Sequence, residues 1–232
     1  LEWYCFDSNA RLLEIGAECG ALTGLFCERV KEVVAIDKDE KKCKVNEERN
    51  QKYNNKLILT HNKKNIRQFF DNSFDYVTIL GNVFQEDIKT ANKALKMHGN
   101  LIIAVDNKYG IKYWAGANDE HTGIRFDSIS GYKGVDNIYS YTKEELFKIM
   151  NEEGFIKKAV YYPIPDYRFS MEIYSENNLP KNGDFSENTP SFQQDRLLLF
   201  EEAEVLNSLC RDGKYDLFAN SFLVFAEKVN ER

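Results

Sequence analysis

Four residues near the amino end have the types and spacing to hold a nucleotide: Glu14, Gly16, Gly20 and Asp37. They lie in RLLEIGAECGALTGLFCERVKEVVAID, residues 11–37. Two glycines four residues apart permit a backbone turn tight enough for a ligand to approach the main chain. The turn, which includes Ala17, is then expected to present free N–H groups to that ligand. Asp37 lies 17 residues past Gly20, where a carboxylate can accept hydrogen bonds from both hydroxyls of a ribose.

Such a turn must be held by a strand and a helix, and the flanking residues supply both. Arg11 to Ile15 is an apolar run suited to a strand buried on both faces. Leu22 to Val30 has an amphipathic helical pattern, and Glu32 to Asp37 returns as a parallel neighbour strand. The same alternation continues. Strands are expected at Lys56 to His61, Phe74 to Leu80, Gly99 to Asn107, Ile156 to Ile164 and Ser221 to Lys228. Helices are expected at Glu86 to Met97, after the capping box Thr142-Lys143-Glu144-Glu145, and across Arg196 to Cys210. Strands alternating with helices imply a parallel sheet with right-handed crossovers and ligands at the carboxyl ends of the strands.

The glycine spacing separates two cofactor classes. A dinucleotide site asks for G-x-G-x-x-G, whereas Glu14 to Gly20 reads E-x-G-x-x-x-G. This resembles the first motif of the seven-stranded, S-adenosylmethionine-dependent methyltransferases, whose middle glycine is Glu18 here. The helix and strand at the end of the chain resemble that family too, and the likeness covers nearly all of the chain. It implies an α/β, Rossmann-like three-layer sandwich: a mostly parallel seven-stranded sheet with an antiparallel last strand. It implies S-adenosylmethionine as cofactor, held by Glu14, Gly16, Ala17, Gly20, Asp37, Lys38, Asn62, Gly81, Asn82 and Val83. The family commonly places an acid after the third strand. This chain has Thr60-His61-Asn62-Lys63-Lys64-Asn65, where Asn62 or Asn65 would meet adenine. Residues 106–132 and 161–180 resemble methyltransferase domains of bacterial multi-domain proteins associated with surface-polysaccharide and glycosyltransferase modules. The absence of an Asn-Pro-Pro-Tyr motif at Gly81-Asn82-Val83-Phe84 lowers the prospect of DNA adenine methylation. Oxygen methylation of a saccharide or other small hydroxylated acceptor is the leading expectation. The alternatives are a methyltransferase-fold binding module with little or no activity and a nicotinamide-binding dehydrogenase domain.

Two stretches are too long for plain connections, about 108–140 and 163–195, and are expected as insertions in a single domain spanning 1–232. The first is rich in aromatic residues, which favours packing. Leaving from the carboxyl end of the fifth strand, it is expected to wall the acceptor side of the cleft. Rings interleaved with amides and carboxylates suit sugars. His121 is the candidate base there, with Asn107 and Tyr109 as further catalytic candidates. The formal net charge of −6 argues against a nucleic-acid footprint. Five scattered cysteines have no spacing for zinc or for paired thiols, so neither a metal site nor a disulfide framework is expected. No apolar run approaches a membrane span, and a cytoplasmic setting is expected. The chain opens at Leu1 without methionine, which suggests a piece of a longer polypeptide with further domains.

Overall fold

The computed structural model describes residues 1–61, 73–134, 139–190 and 196–230. Among these residues eight strands form one sheet: β1 (Arg11–Ile15), β2 (Glu32–Ile36), β3 (Leu57–Thr60), β4 (Phe74–Leu80), β5 (Leu95–Asp106), β6 (Phe155–Ile164), β7 (Glu172–Ser175) and β8 (Ser221–Lys228). Their order across the sheet is β3-β2-β1-β4-β5-β8-β6-β7. The helices are α1 (Thr23–Arg29), α2 (Glu40–Arg49), α3 (Gln85–Ala94), α4 (Ile111–Trp114), α5 (Asp127–Ser130), α6 (Lys143–Glu152), α7 (Glu202–Arg211) and α8 (Tyr215–Phe218). The chain forms two compact units. The first comprises Leu1–Ile103, Met150–Ile156 and Phe225–Arg232, and the second Ala104–Ile149 and Lys157–Val224.

In the first unit β1 is the central strand. It pairs in parallel with β2 on one side and β4 on the other, Leu13 lying opposite Val34 and Val77. Leu12, Leu13, Val33, Val34 and Val77 are wholly buried, as an apolar run with neighbours on both faces requires. β3 extends the parallel ladder beyond β2. The segment before β1 joins this core, Tyr4 stacking on Phe225 with ring centroids 4.8 Å apart.

In the second unit the capping box closes as its sequence demands. The Glu145 N–H donates to Thr142 Oγ1 at 3.1 Å, and the Thr142 N–H donates to Glu145 Oε2 at 2.9 Å. β6 and β7 pair antiparallel, Tyr162 opposite Tyr174. This hairpin supplies an eighth strand at the sheet edge where seven were expected. Its four residues alternate too weakly between apolar and polar to announce themselves.

The last strand runs antiparallel to β5. Its start lies beside the end of β5, where the Asn107 N–H donates to the Asn220 carbonyl at 3.0 Å. Its end lies beside the start of β5, with His98 2.7 Å from Glu227.

Two helix boundaries differ from expectation, each for a polar reason. α3 stops at Ala94 rather than near Met97 because Lys228, 1% exposed, donates from Nζ to the carbonyls of Asn92 (2.7 Å) and Leu95 (2.9 Å). A buried ammonium at a helix carboxyl end satisfies orphan carbonyls and the dipole together. α7 begins at Glu202 rather than Arg196. Arg196 instead donates to the carbonyls of Lys112 (3.1 Å) and Thr189 (3.2 Å), and the Leu199 N–H donates to Ala115. These bonds hold the intervening chain out of a helix.

Candidate functional site

The turn after β1 passes through three left-handed positions: Gly16 (φ 75), Glu18 (φ 50) and Gly20 (φ 75). Its N–H groups are largely committed, contrary to the expectation of free donors. Gly16 and Ala17 both donate to the Ile36 carbonyl, at 2.9 and 3.0 Å, and Gly20 donates to Ala17. The Glu18 N–H donates to Asp37 Oδ2 at 2.9 Å, while the Asp39 N–H donates to Asp37 Oδ1 at 2.9 Å. The Asp37 carboxylate is therefore fixed by one donor on each oxygen, and each oxygen keeps a lone pair for a further donor.

The two glycines do different work. A Cβ on Gly16 would meet nothing within 4 Å, because that side of the residue faces open space in the cleft. A Cβ on Gly20 would collide with Asn46 Oδ1 and lie 2.7 Å from Asn50 Nδ2. Gly20 thus admits the buried Asn46 of α2 and Asn50 at its C-cap, and Asn50 donates to the Gly20 carbonyl at 3.3 Å. The network continues inward. Asn46 Nδ2 donates to Thr23 Oγ1 at 3.0 Å, and Thr23 donates to Glu14 Oε2 at 2.6 Å. Glu14 is 5% exposed, and desolvation, only partly offset by the Thr23 hydrogen bond, pushes its pKa up to about 8.

Beside the turn is a cleft of about 270 Å³ lined by Ile15, Gly16, Glu18, Ile36, Asp37, Lys38, Asp39, Lys42, Leu80, Asn82, Phe84 and Asp87. Four of these residues are acidic and two are lysines, and both lysines are engaged. Lys42 Nζ lies 2.8 Å from Glu18 Oε2, and Lys38 Nζ sits 5.5 Å from the centre of the Phe84 ring. Glu18 spends its charge on Lys42 rather than leaving it in the cleft. Of the residues read from sequence as cofactor-binding, Gly16, Asp37, Lys38 and Asn82 line the cleft. Ala17, Val83 and Glu14 are buried next to lining residues, and Gly81 forms the left-handed turn (φ 109) that delivers Asn82. Gly20 packs against α2. Asn62 and Asn65 lie outside the described residues. Phe84, from the stretch singled out after the fourth strand, lines the cleft too, whereas the sequence reading missed Asp39, Lys42 and Asp87. Asp39 was legible as the N-cap of α2, its carboxylate accepting the Lys41 N–H at 2.8 Å.

The second unit contains the other sequence candidates. Asn107 is 1% exposed and fully engaged. Its amide donates to the carbonyls of Leu217 (2.9 Å) and Ala219 (2.7 Å), and its oxygen accepts the Tyr109 N–H at 3.0 Å. Tyr109 is exposed, with Lys108 Nζ 5.9 Å from its ring centre. His121 stacks on Tyr139 at 4.1 Å between centroids. Asp119 orders its loop, accepting the His121 and Thr122 N–H groups and the Tyr132 hydroxyl. Desolvation lowers the His121 pKa, so its ring is neutral near pH 7.

Close to these residues, Asp106 at the end of β5 joins a charge network absent from the sequence reading. Lys112 Nζ is 2.7 Å from Asp106 Oδ1, and Arg168 binds both Asp106 oxygens, at 3.2 and 2.7 Å. Burial raises the Asp106 pKa, but Lys112 and Arg168 outweigh it and hold the group near 2. Asp106, Glu120 and Asp166 are close enough together to hold a cation. Lys112 Nζ already lies among them, 2.7, 3.5 and 3.6 Å away. Partners up to 62 residues apart in sequence gave no local signal of this cluster.

Residues 13–103 match the family model described as "Methyltransferase domain". No curated protein matches the chain in sequence. Similar solved structures include a candidate methyltransferase from Bacillus halodurans C-125, 18% identical, with 97% of this chain and 95% of that one covered and a TM-score of 0.58. A candidate S-adenosylmethionine-dependent methyltransferase from Listeria monocytogenes is 15% identical, with 98% and 93% covered and a TM-score of 0.58. An S-adenosylmethionine-dependent methyltransferase from Methanosarcina mazei is 15% identical, with 98% and 96% covered and a TM-score of 0.55. The fold is the α/β, Rossmann-like methyltransferase fold, its eight-stranded sheet mostly parallel with antiparallel strands toward one edge.

Proposed function

We propose that the methyltransferase domain at residues 13–103 binds S-adenosylmethionine in the cleft beside Asp37 and directs its methyl group to a small hydroxylated acceptor, of which a saccharide is the favoured class. The observation that carries the cofactor assignment is Asp37, whose oxygens are each oriented by one main-chain donor and each left with a lone pair. Two ribose hydroxyls are the matching donors. The balance of charge supports the same cofactor. Four carboxylates against two lysines, both engaged, suit a ligand carrying a sulfonium and an ammonium. The diphosphate of a nicotinamide dinucleotide would meet those carboxylates as like charge, which disfavours the dehydrogenase reading.

Ile15, Ile36, Leu80 and Phe84 give the cleft apolar wall for an adenine ring, and the open space over Gly16 admits the ligand to the main chain. When bound, the cofactor supplies an electrophilic methyl group on sulfur. The chain's own work is to fix the ribose through Asp37, exclude water and, for a hydroxyl acceptor, remove a proton. His121 is our candidate for that last task because its ring is neutral near pH 7. Tyr109 offers an exposed ring for a sugar face. Asn107 is assigned to positioning, since its amide group is already spent on main-chain partners. A surface-glycan pathway, a cytoplasmic location and further domains in the same polypeptide complete the proposal. The five unbridged cysteines suit a reducing compartment.

A second reading, a binding module of this fold with little activity, draws on one observation. Glu18 occupies a left-handed position that glycine would adopt without strain. Calorimetric titration with S-adenosylhomocysteine and with NAD, followed by a methyl-transfer assay on saccharides, separates the readings. Binding of the former with no heat from NAD is the expected result. Binding of NAD alone would overturn the proposal, and cofactor binding without transfer to any acceptor would favour the module.

A further inference from the structure

We propose that Glu14 couples cofactor binding to proton release, so that arrival of a cationic adenosyl ligand ionises this buried carboxyl group. The inference rests on the cofactor assignment above and extends it to regulation by pH. Its basis is geometric. Glu14 is 5% exposed and lies two residues before Gly16, which lines the cleft, in the same strand as the lining residue Ile15. Its Oε2 accepts a hydrogen bond from Thr23 of α1 at 2.6 Å. Across the ladder it lies in register with Ala35 of β2 and Thr78 of β4. Thr78 is itself wholly buried, and its hydroxyl has no hydrogen-bond partner among the described residues.

The described groups packed around Glu14 leave its charge uncompensated. Thr23 and Cys27 approach from α1, Asn46 of α2 stands behind Thr23, and β2 and β4 contribute Ala35 and Thr78. Of these only the Cys27 thiol titrates. Burial first, and then the neighbouring Glu14, push it up to about 12, far from the neutral range. With no cation facing it among the described residues, Glu14 retains its proton to about pH 8 in the free protein. A sulfonium held in the adjoining cleft, in a region of low dielectric, favours the carboxylate. The sign of the linkage follows. The free protein holds the proton up to about pH 8 and the complex sheds it at lower pH, so affinity for the cation climbs as pH rises toward 8 and levels off above it.

The test uses two nucleosides that differ by one methyl group and one charge: 5′-dimethylsulfonio-5′-deoxyadenosine and the neutral thioether 5′-methylthioadenosine. Neither carries an amine or carboxylate that would titrate near neutrality. Calorimetric titration of the whole chain at pH 7.5, in phosphate and in Tris, gives the protons released from the difference in observed heat. The sulfonium nucleoside should release about half a proton or more per site. The thioether should release almost none. In Glu14→Gln, which preserves an acceptor for Thr23, the sulfonium nucleoside should bind without release and its affinity should no longer depend on pH between 6.5 and 8. Binding of both nucleosides without release by the wild-type chain overturns the inference and leaves the cofactor assignment standing. Release that persists in Glu14→Gln overturns it as well, since another group would be the source. If neither nucleoside binds, the cofactor assignment fails and the coupling fails with it. The wild-type comparison decides the matter even if the variant does not fold.

Discussion

Replacing Glu18 by glycine probes whether this chain's departure from the glycine-rich turn matters to the ligand or only to the backbone. Glu18 holds φ at 50, and a non-glycine residue in this region costs about 1 kcal/mol. Glycine relieves that cost but loses about 0.5–1 kcal/mol more chain entropy on folding. The ion pair with Lys42 is also lost. Its side chains are 37% and 57% exposed, and solvent screening limits such a pair to well under about 1 kcal/mol. These terms nearly cancel, so Glu18→Gly should shift the melting temperature by no more than about 4 °C in either direction. Affinity should change little as well. Asp37 is oriented by the Glu18 N–H, which glycine retains, and the Glu18 carboxylate that is lost was paired with Lys42. Calorimetric titration with S-adenosylhomocysteine should give dissociation constants within about threefold of each other, below about 0.7 kcal/mol. A hundredfold gain, about 2.7 kcal/mol, would refute the reasoning, because the native side chain would then be crowding the ligand.

The two glycines should separate stability from binding. Gly20→Ala drives a methyl group into Asn46 and Asn50 at a left-handed position, which should cost about 2–4 kcal/mol in thermal or chemical unfolding. Gly16→Ala meets no protein atom within 4 Å, so it should cost about 1 kcal/mol from backbone strain alone, while its methyl group enters the ligand's space and weakens cofactor binding in the same titration. In the second unit, Asp106→Asn should destabilise by about 2 kcal/mol at pH 7, because Lys112 and Arg168, which hold the Asp106 pKa near 2, lose their carboxylate partner. Asp106 has a depressed pKa, so its contribution is complete above about pH 4 and disappears as pH falls through about 2. Acid unfolding curves of wild type and variant should therefore converge at low pH.

The parts of the fold that sequence made legible are those fixed by local chemistry. β1, β4 and β8 have the bounds that their apolar runs suggest, and Thr142 and Glu145 close the box that their spacing implies. Asp37 was readable as an acid at the tip of the second strand, and it lines the cleft. What escaped depends on contacts between distant segments. Lys228 ends α3 from 133 residues away in sequence, and Arg196 holds its own segment out of a helix by reaching Lys112. The role of Gly20 required seeing Asn46 on α2 and Asn50 at its C-cap, polar residues that are buried rather than solvated. The donors of the turn were expected to be free, yet Ile36 and Asp37 take most of them. Strand register decided that pairing, and register is not written in the turn itself.

The central claim, that Asp37 holds the ribose of an adenosyl cofactor, is tested most directly by a double-mutant cycle. Affinity is measured for S-adenosylhomocysteine and for its 2′,3′-dideoxy analogue, in the wild-type chain and in Asp37→Ala. Removing a charge-assisted hydrogen-bond acceptor should weaken S-adenosylhomocysteine by about 1.5–3 kcal/mol, roughly tenfold to a hundredfold or more. The analogue lacks the hydroxyls and should bind both proteins alike, so any loosening of the turn in the variant appears there and is subtracted. Equal losses for the two ligands, or none for either, would show that Asp37 does not hold the ribose.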